Sequence, residues 1–158
     1  MKTLSIVGGG WLGKPLAQYL TSIGHKVYVS KTTSEGVDEL KKEGLEGFKC
    51  DLNSGEAELS AHLINAPSEI VIGCFPPGFR KGGGQQYVTQ WKALIEAAKQ
   101  SGVSRVIMVS STTVYPSLAT DMTEEDASLA IAEGNPDFSD NATIMLQAEN
   151  ALISSGLK

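Results

Sequence analysis

The chain alternates between short apolar runs and longer segments whose apolar residues recur at helical spacing. The apolar runs predict five strands, at residues 3–7, 26–30, 47–50, 70–75 and 105–110. The amphipathic segments predict helices at about 11–22, 35–43, 55–65, 85–100 and 139–155. Strands that alternate with helices form parallel sheets with helices on both faces. The pattern therefore predicts an α/β fold, a doubly wound parallel sheet of about five strands in the order 3-2-1-4-5.

A glycine-rich turn, GGGWLG, joins the first strand to the first helix. We expect Gly8 to allow the tight turn, Gly10 to let backbone approach a pyrophosphate, and Gly13 to let the helix pack closely on the sheet. The phosphates would then rest on the amides of Trp11 and Leu12, at the positive end of the helix dipole. A turn without a ligand is the alternative, but strand, turn and helix in this order favour dinucleotide binding.

The end of the second strand bears on the choice between NAD and NADP. NAD-binding proteins of this fold place an acidic residue about 20 residues beyond the glycines, where it binds the ribose hydroxyls. This chain has Ser30, Lys31 and Thr32 there instead. An ammonium group among hydroxyls suits a 2′-phosphate, so the sequence favours NADP, with NAD as the alternative. Thr32 and Glu35 also match a capping box for the following helix.

Two further segments are expected near the carboxyl edge of the sheet. Asp51 follows the third strand, where it would either face the adenine of a dinucleotide or begin a turn. Phe75 ends the predicted central fourth strand and Pro76 begins the loop after it, and loops after strands one and four flank the ligand crevice in this fold. Arg80 and Lys81 lie in that same loop, where they would meet a phosphate or belong to a disordered surface segment.

Composition and spacing limit the other classes of function. The net charge of −5 and the lack of a basic stripe exclude nucleic acid as the main partner. Cys50 and Cys74 lack the spacing of a zinc or redox pair, and no metal site is predicted. His25 is expected in a turn and His62 on an exposed helix face. No leader or long apolar run is apparent, so we expect a cytoplasmic protein with no membrane segment.

Residues 110–115, SSTTVY, resemble the serine-serine-x-x-valine-tyrosine signature of the NAD(P)-dependent epimerase/dehydratase family, the extended short-chain dehydrogenase/reductases. Asp51-Leu52 matches the acidic position of that family. The amino-terminal stretch is most similar to its bacterial nucleoside-diphosphate-sugar epimerase-like branch. The resemblance implies that Ser111 hydrogen-bonds a substrate hydroxyl or carbonyl during hydride transfer. The alternative is that these hydroxyls satisfy backbone groups at the strand end.

The chain departs from this family at the proton-transfer residues. The family uses a tyrosine and a lysine four residues later on the next helix, and the aligned positions here hold Asn141 and Met145, neither of which transfers protons. No lysine occurs between Lys99 and Lys158. Acidic side chains of residues 116–140 would either replace the missing group or form a solvated face. They include Asp121, Glu124, Glu125, Asp126 and Asp137.

These features predict that residues 1–158 form the NAD(P)-binding Rossmann domain of an oxidoreductase or sugar-nucleotide epimerase-like protein. The expected substrate is a small molecule such as a nucleotide-sugar. The alternatives are a non-catalytic NADP(H) sensor and, less favoured, the first domain of a 2-hydroxyacid-type dehydrogenase. Family members continue with a sixth strand and a substrate domain, so we interpret the chain as an amino-terminal fragment. The sixth strand would begin at Leu157-Lys158, and a partner chain of a homo-oligomer or the last helix would cover the fifth strand.

Overall fold

The computed structural model describes residues 1–158 and contains a single parallel sheet. Its strands are β1 (Thr3–Val7), β2 (Lys26–Lys31), β3 (Glu46–Lys49), β4 (Ile70–Gly73) and β5 (Arg105–Met108). The strand order is β3-β2-β1-β4-β5, and every neighbouring pair is parallel. The predicted fold class is therefore confirmed.

Six helices accompany the sheet and follow the predicted order. They are α1 (Gly13–Ser22), α2 (Ser34–Lys42), α3 (Ala57–Asn65), α4 (Gly84–Ser101), α5 (Leu129–Ala132) and α6 (Asp140–Ile153). The short helix α5 lies in the segment that the sequence left as a long connection. The loop after β4 also contains a 3-10 turn, Phe79–Lys81, between two glycines in the left-handed conformation. None of these helices is both long and apolar enough to cross a membrane.

The chain divides into two compact units. The first unit comprises Met1–Phe75, Ala93–Val109 and Leu157–Lys158, and it contains the whole sheet. The second unit comprises Pro76–Lys92 and Ser110–Gly156. Within the first unit, the amide of Val106 in β5 donates a hydrogen bond to the carbonyl of Lys158 at 2.8 Å. Residues after α6 therefore reach the outer edge of the sheet, where the sixth strand is predicted to begin.

The core of the first unit packs β1, β2 and β4 against α1 and α2. Ile6 and Val29 from the central strands and Ala17 from α1 have no exposed surface. The helical spacing of apolar residues in the sequence predicts that Tyr19 and Ile23 also face this core, but they are 61% and 53% exposed. That prediction was wrong because α1 packs on the core through Leu16, Ala17 and Leu20, which leaves Tyr19 and Ile23 in solvent.

His62 on α3 packs against the sheet, although the sequence predicted an exposed position. Its ring stacks on Phe48 with centroids 3.6 Å apart and meets the edge of Tyr28 at 5.1 Å. Its Nε2 lies 2.9 Å from the hydroxyl of Ser5, which is fully buried. Burial disfavours the imidazolium and lowers the pKa of His62 to about 4. The histidine is thus neutral and packs between α3 and the sheet.

We predict that acid destabilises the fold through His62. The unfolded chain binds a proton at this histidine below pH 6.5, whereas the folded chain binds it only near pH 4. The free energy of unfolding should therefore fall as the pH decreases from 6.5 towards 4, by about 2 kcal/mol for this half-buried ring. Urea denaturation across this range measures it. The His62→Phe variant should lack this component, and an unchanged pH profile in that variant would contradict the assignment.

Candidate functional site

A single buried residue at the end of β2 holds the glycine turn. The amide of Gly8 donates to the hydroxyl of Ser30 at 2.9 Å, and the amide of Gly9 donates to the carbonyl of Ser30 at 2.8 Å. Ser30 is 2% exposed. The sequence predicted that this hydroxyl binds a cofactor phosphate, and that role stays a prediction. Because the side chain is buried and already accepts a hydrogen bond, it positions the turn.

Internal packing requires some glycines of the turn but not others. Gly8 has a φ of +103°, and a Cβ there would lie 2.8 Å from the amide nitrogen of Phe75. A Cβ on Gly13 would lie 2.1 Å from the carbonyl oxygen of Gly8. The protein's own packing thus requires both glycines. Gly10 is different because its φ is not positive and a Cβ there meets no atom within 4 Å. Only an external group would need this position bare.

The open space at Gly10 adjoins the start of α1. The Leu12 side chain makes no capping hydrogen bond, and the first turn contains no acidic residue. The amides of Trp11 and Leu12 donate to no group of the chain. Uncapped amides at the positive end of a helix dipole bind anions. The Trp11 side chain is 88% exposed beside them.

Lys31 lies next to this turn. Its aliphatic carbons pack on Gly36 of α2, where a Cβ would come within 3.0 Å of the Lys31 Cβ. Its Cε is 3.6 Å from the Cβ position of Gly9, so the ammonium end extends past the turn, and it forms no ion pair. The cap of α2 is Thr33, whose hydroxyl accepts from the amide of Gly36 at 3.1 Å. The predicted cap, Thr32, is exposed, and Thr33 makes the capping hydrogen bond in its place.

The remaining predicted cofactor residues have structural contacts of their own. The Asp51 carboxylate accepts from the amide of Asn53 at 3.0 Å, and the Asp51 amide donates to Glu58 at 2.8 Å. The turn-forming alternative for Asp51 is therefore present. Phe75 is half-buried directly after β4, and Pro76 is exposed. Contact of these three residues with a cofactor stays a prediction.

The serine-rich segment after β5 borders a pocket of about 370 Å³ within the second unit. Its lining residues are Ser110, Ser111, Thr112, Val114, Tyr115, Glu124, Ala127 and Glu149. The Ser111 hydroxyl accepts from the amide of Thr113 at 3.2 Å and donates to the Thr113 hydroxyl at 3.0 Å. Ser111 therefore caps the 3-10 turn Thr112–Val114 and also faces the pocket, so the two roles considered for it are compatible.

Glu149 is the pocket residue that sequence reasoning missed. Its carboxylate accepts a hydrogen bond from the Ser110 hydroxyl. Burial raises the pKa of Tyr87 to about 12, and the negative charge of Glu149 contributes to this increase. At the aligned dyad positions, Met145 is buried and Asn141 is exposed. The available signal was an acidic residue on α6, four positions after Met145.

The cysteines do not form a reactive pair. Burial raises the pKa of Cys50 to about 12 and also raises the pKa of Cys74. Both are free thiols. No group of three or more His, Cys, Asp or Glu side chains is placed to hold a metal ion. The candidate chemistry therefore concentrates at the glycine turn and at the Ser111 segment.

Comparison with known proteins identifies what the chain is similar to. A family model described as NAD(P)H-binding matches residues 8–158. Protein YeeZ of Escherichia coli strain K12 is 34% identical over 120 residues, which cover 73% of this chain and 42% of YeeZ. The chain thus spans less than half the length of this curated relative.

Solved structures match over nearly the whole chain. A nucleoside-diphosphate-sugar epimerase from Pseudomonas aeruginosa has a TM-score of 0.77 at 17% identity, over 99% of this chain and 49% of that one. The Bordetella bronchiseptica enzyme WbmG, in complex with NAD, has a TM-score of 0.77 at 18% identity, over 99% and 50%. At such low identity, these matches establish a shared fold.

We predict that Ser30→Ala destabilises the domain by about 1–3 kcal/mol, because the amide of Gly8 loses its buried acceptor. Urea denaturation measures the change. Thr32→Ala removes a hydroxyl from an exposed position two residues away and should stay within about 0.5 kcal/mol of the wild type. Equal stabilities for the two variants would show that the Ser30 hydroxyl does not hold the turn.

Proposed function

This chain belongs to the NAD(P)H-binding family, and we propose that it binds NADP(H) at the glycine turn and supplies the cofactor domain of an oxidoreductase or sugar-nucleotide-epimerase-like protein. Its fold is that of the nucleoside-diphosphate-sugar epimerases, as the sequence resemblance predicted. The observation that carries the proposal is the open space at Gly10 beside the uncapped start of α1.

The residues at the turn fit a dinucleotide diphosphate. The bare Gly10 backbone allows close approach, and the amides of Trp11 and Leu12 are available as donors. A diphosphate needs both features, since its oxygens must come within hydrogen-bond distance of the main chain. Gly8, Gly13 and Ser30 would act indirectly, by fixing the shape of the turn.

The selection of NADP over NAD rests on Lys31. Its stem is held between Gly36 and the glycine turn, and no carboxylate competes for its ammonium group. In this fold the end of β2 reads the adenosine ribose, where a carboxylate selects the free hydroxyl and a cation accommodates the 2′-phosphate. Thr32, exposed beside Lys31, adds a hydroxyl donor. Asp51, Phe75 and Pro76 would complete the adenosine side.

For the enzymatic role, Ser111 would bind the substrate. Its hydroxyl now donates to Thr113, and it would exchange that acceptor for a substrate carbonyl or hydroxyl oxygen. This contact would orient the substrate for hydride transfer, the chemistry that the nicotinamide supplies when bound. The expected substrate is a small molecule such as a nucleotide-sugar.

A non-catalytic NADP(H) sensor is the second candidate. At the positions of the family's acid–base pair, this chain has Met145, which is 1% exposed, and Asn141, whose amide does not titrate. These two residues favour the sensor. A cofactor-oxidation assay with nucleotide-sugars and small ketones separates the two functions. Turnover that Ser111→Ala abolishes would identify an enzyme, and tight cofactor binding without turnover would identify a sensor.

We predict that the chain binds NADPH more tightly than NADH. The Lys31→Ala variant should lower the affinity for NADPH by roughly tenfold or more, because a charge-assisted hydrogen bond is lost. Isothermal titration calorimetry measures both affinities. The affinity for NADH should change by less than about twofold in the same variant. Lys42→Ala removes the same charge from an exposed position at the end of α2 and serves as the control. Equal wild-type affinities for the two cofactors would contradict the phosphate role.

We also predict that Gly10→Val folds normally and loses dinucleotide binding. Its side chain would enter open space, so the free energy of unfolding should change by less than about 1 kcal/mol. The two methyl groups of the valine would occupy the place of the diphosphate, so both NADPH and NADH should bind at least about tenfold more weakly. In contrast, Gly13→Ala should fail to fold, because its Cβ would overlap the Gly8 carbonyl. Unchanged binding by Gly10→Val would place the ligand elsewhere.

A further inference from the structure

Gly36 is the one glycine of α2, and the helix backbone does not require it. The residue lies in the first turn and its φ is not positive, so any L-amino acid adopts this conformation without strain. Alanine stabilises a helix more than glycine does, because glycine loses more backbone freedom. The Gly36 amide donates to the Thr33 hydroxyl at 3.1 Å, and an alanine amide would donate equally well. Nothing within the helix therefore favours glycine at this position.

The group that needs the bare α-carbon of Gly36 is the side chain of Lys31, at the end of β2. A Cβ on Gly36 would lie 3.0 Å from the Lys31 Cβ, 3.1 Å from its Cγ and 3.3 Å from its Cδ. These distances are shorter than carbon atoms ordinarily adopt in contact. Three consecutive carbons of the lysine thus occupy the place that any other side chain at residue 36 would need.

The next carbon of the lysine reaches the glycine turn. The Lys31 Cε is 3.6 Å from the Cβ position of Gly9, which is ordinary van der Waals distance. Gly9 is itself fixed, because its amide donates to the carbonyl of Ser30 at 2.8 Å. The aliphatic stem therefore runs from α2 to the turn between two glycines, and the ammonium group is one bond beyond Cε. None of the acidic residues of α2 forms an ion pair with it.

We propose that Gly36 is a positioning residue that sets the preference for NADPH through Lys31. This role rests on the proposed function, which assigns the Lys31 ammonium group to the 2′-phosphate. A lysine side chain in solvent samples many rotamers, and a ligand must order it. Packing along Gly36 restricts those rotamers before the cofactor arrives, so binding of the phosphate loses less entropy. NADH has no 2′-phosphate and gains nothing from this restriction.

The Gly36→Ala variant tests the proposal. Its methyl group would displace the lysine stem from α2, which moves the ammonium group and returns rotamer freedom to it. We expect the affinity for NADPH to fall by about threefold or more, and the affinity for NADH to stay within about twofold of the wild type. Isothermal titration calorimetry measures both affinities, and circular dichroism checks that the variant is folded. A wild-type ratio of the two affinities in this variant would overturn the proposal.

The Lys31→Met background separates positioning from a general disturbance of the turn. Methionine keeps an unbranched stem beside Gly36 but has no ammonium group. In that background, Gly36→Ala should change the affinities for NADPH and NADH by the same factor, because no charge remains to be positioned. A selective loss of NADPH affinity that persists without the ammonium group would show that Gly36 does not act through Lys31.

A measurement on the wild-type chain needs no substitution. Nuclear Overhauser effects between the α-protons of Gly36 and the side-chain protons of Lys31 should be present before any cofactor is added, and their absence would contradict the packing. If the proposed function fails, the wild type binds neither cofactor or binds both equally, and the positioning role fails with it. A preference for NADPH that Lys31→Met removes and Gly36→Ala preserves would overturn the positioning role alone.

Discussion

Two backbone amides of the glycine turn depend on one buried serine at the end of the neighbouring strand. The hydroxyl and the carbonyl of Ser30 accept from Gly8 and Gly9, and the positive φ of Gly8 lets both bonds form together. This contact ties β2 to the turn after β1, so Lys31 follows directly from the residue that fixes the turn. The glycine turn, which is proposed to bind the diphosphate, and Lys31, which is proposed to bind the ribose phosphate, are therefore connected through the hydrogen bonds of Ser30.

The close approach of α1 to the sheet depends on the same turn. Gly13 begins the helix against the carbonyl of Gly8, and Ala17, one turn later, is completely buried. Small residues at these positions bring the start of the helix to the edge of the sheet. The helix dipole then reaches the place where the proposed phosphates would lie. Packing and binding thus impose different demands on glycines that are only a few residues apart.

The serine-rich segment of the second unit resembles the family motif but has different hydrogen-bond partners. Ser110 and Ser111 have the positions that the sequence resemblance implies, yet their partners are Glu149 and Thr113 rather than a tyrosine–lysine pair. Carboxylates accept hydrogen bonds and attract cations, whereas the family dyad exchanges protons near neutral pH. The pocket is therefore lined by different hydrogen-bonding groups, although the backbone follows the common fold.

The sequence by itself determined the fold class, the strand order and the position of the glycine turn. These follow from local patterns: apolar runs of strand length, helical spacing, and a glycine-rich turn between a strand and a helix. The tertiary structure decided the roles of Ser30, His62 and Glu149, whose side-chain hydrogen bonds reach partners at least 22 positions away in the chain. Hydrogen-bond partners and burial arise only when distant segments pack together, so no local pattern specifies them.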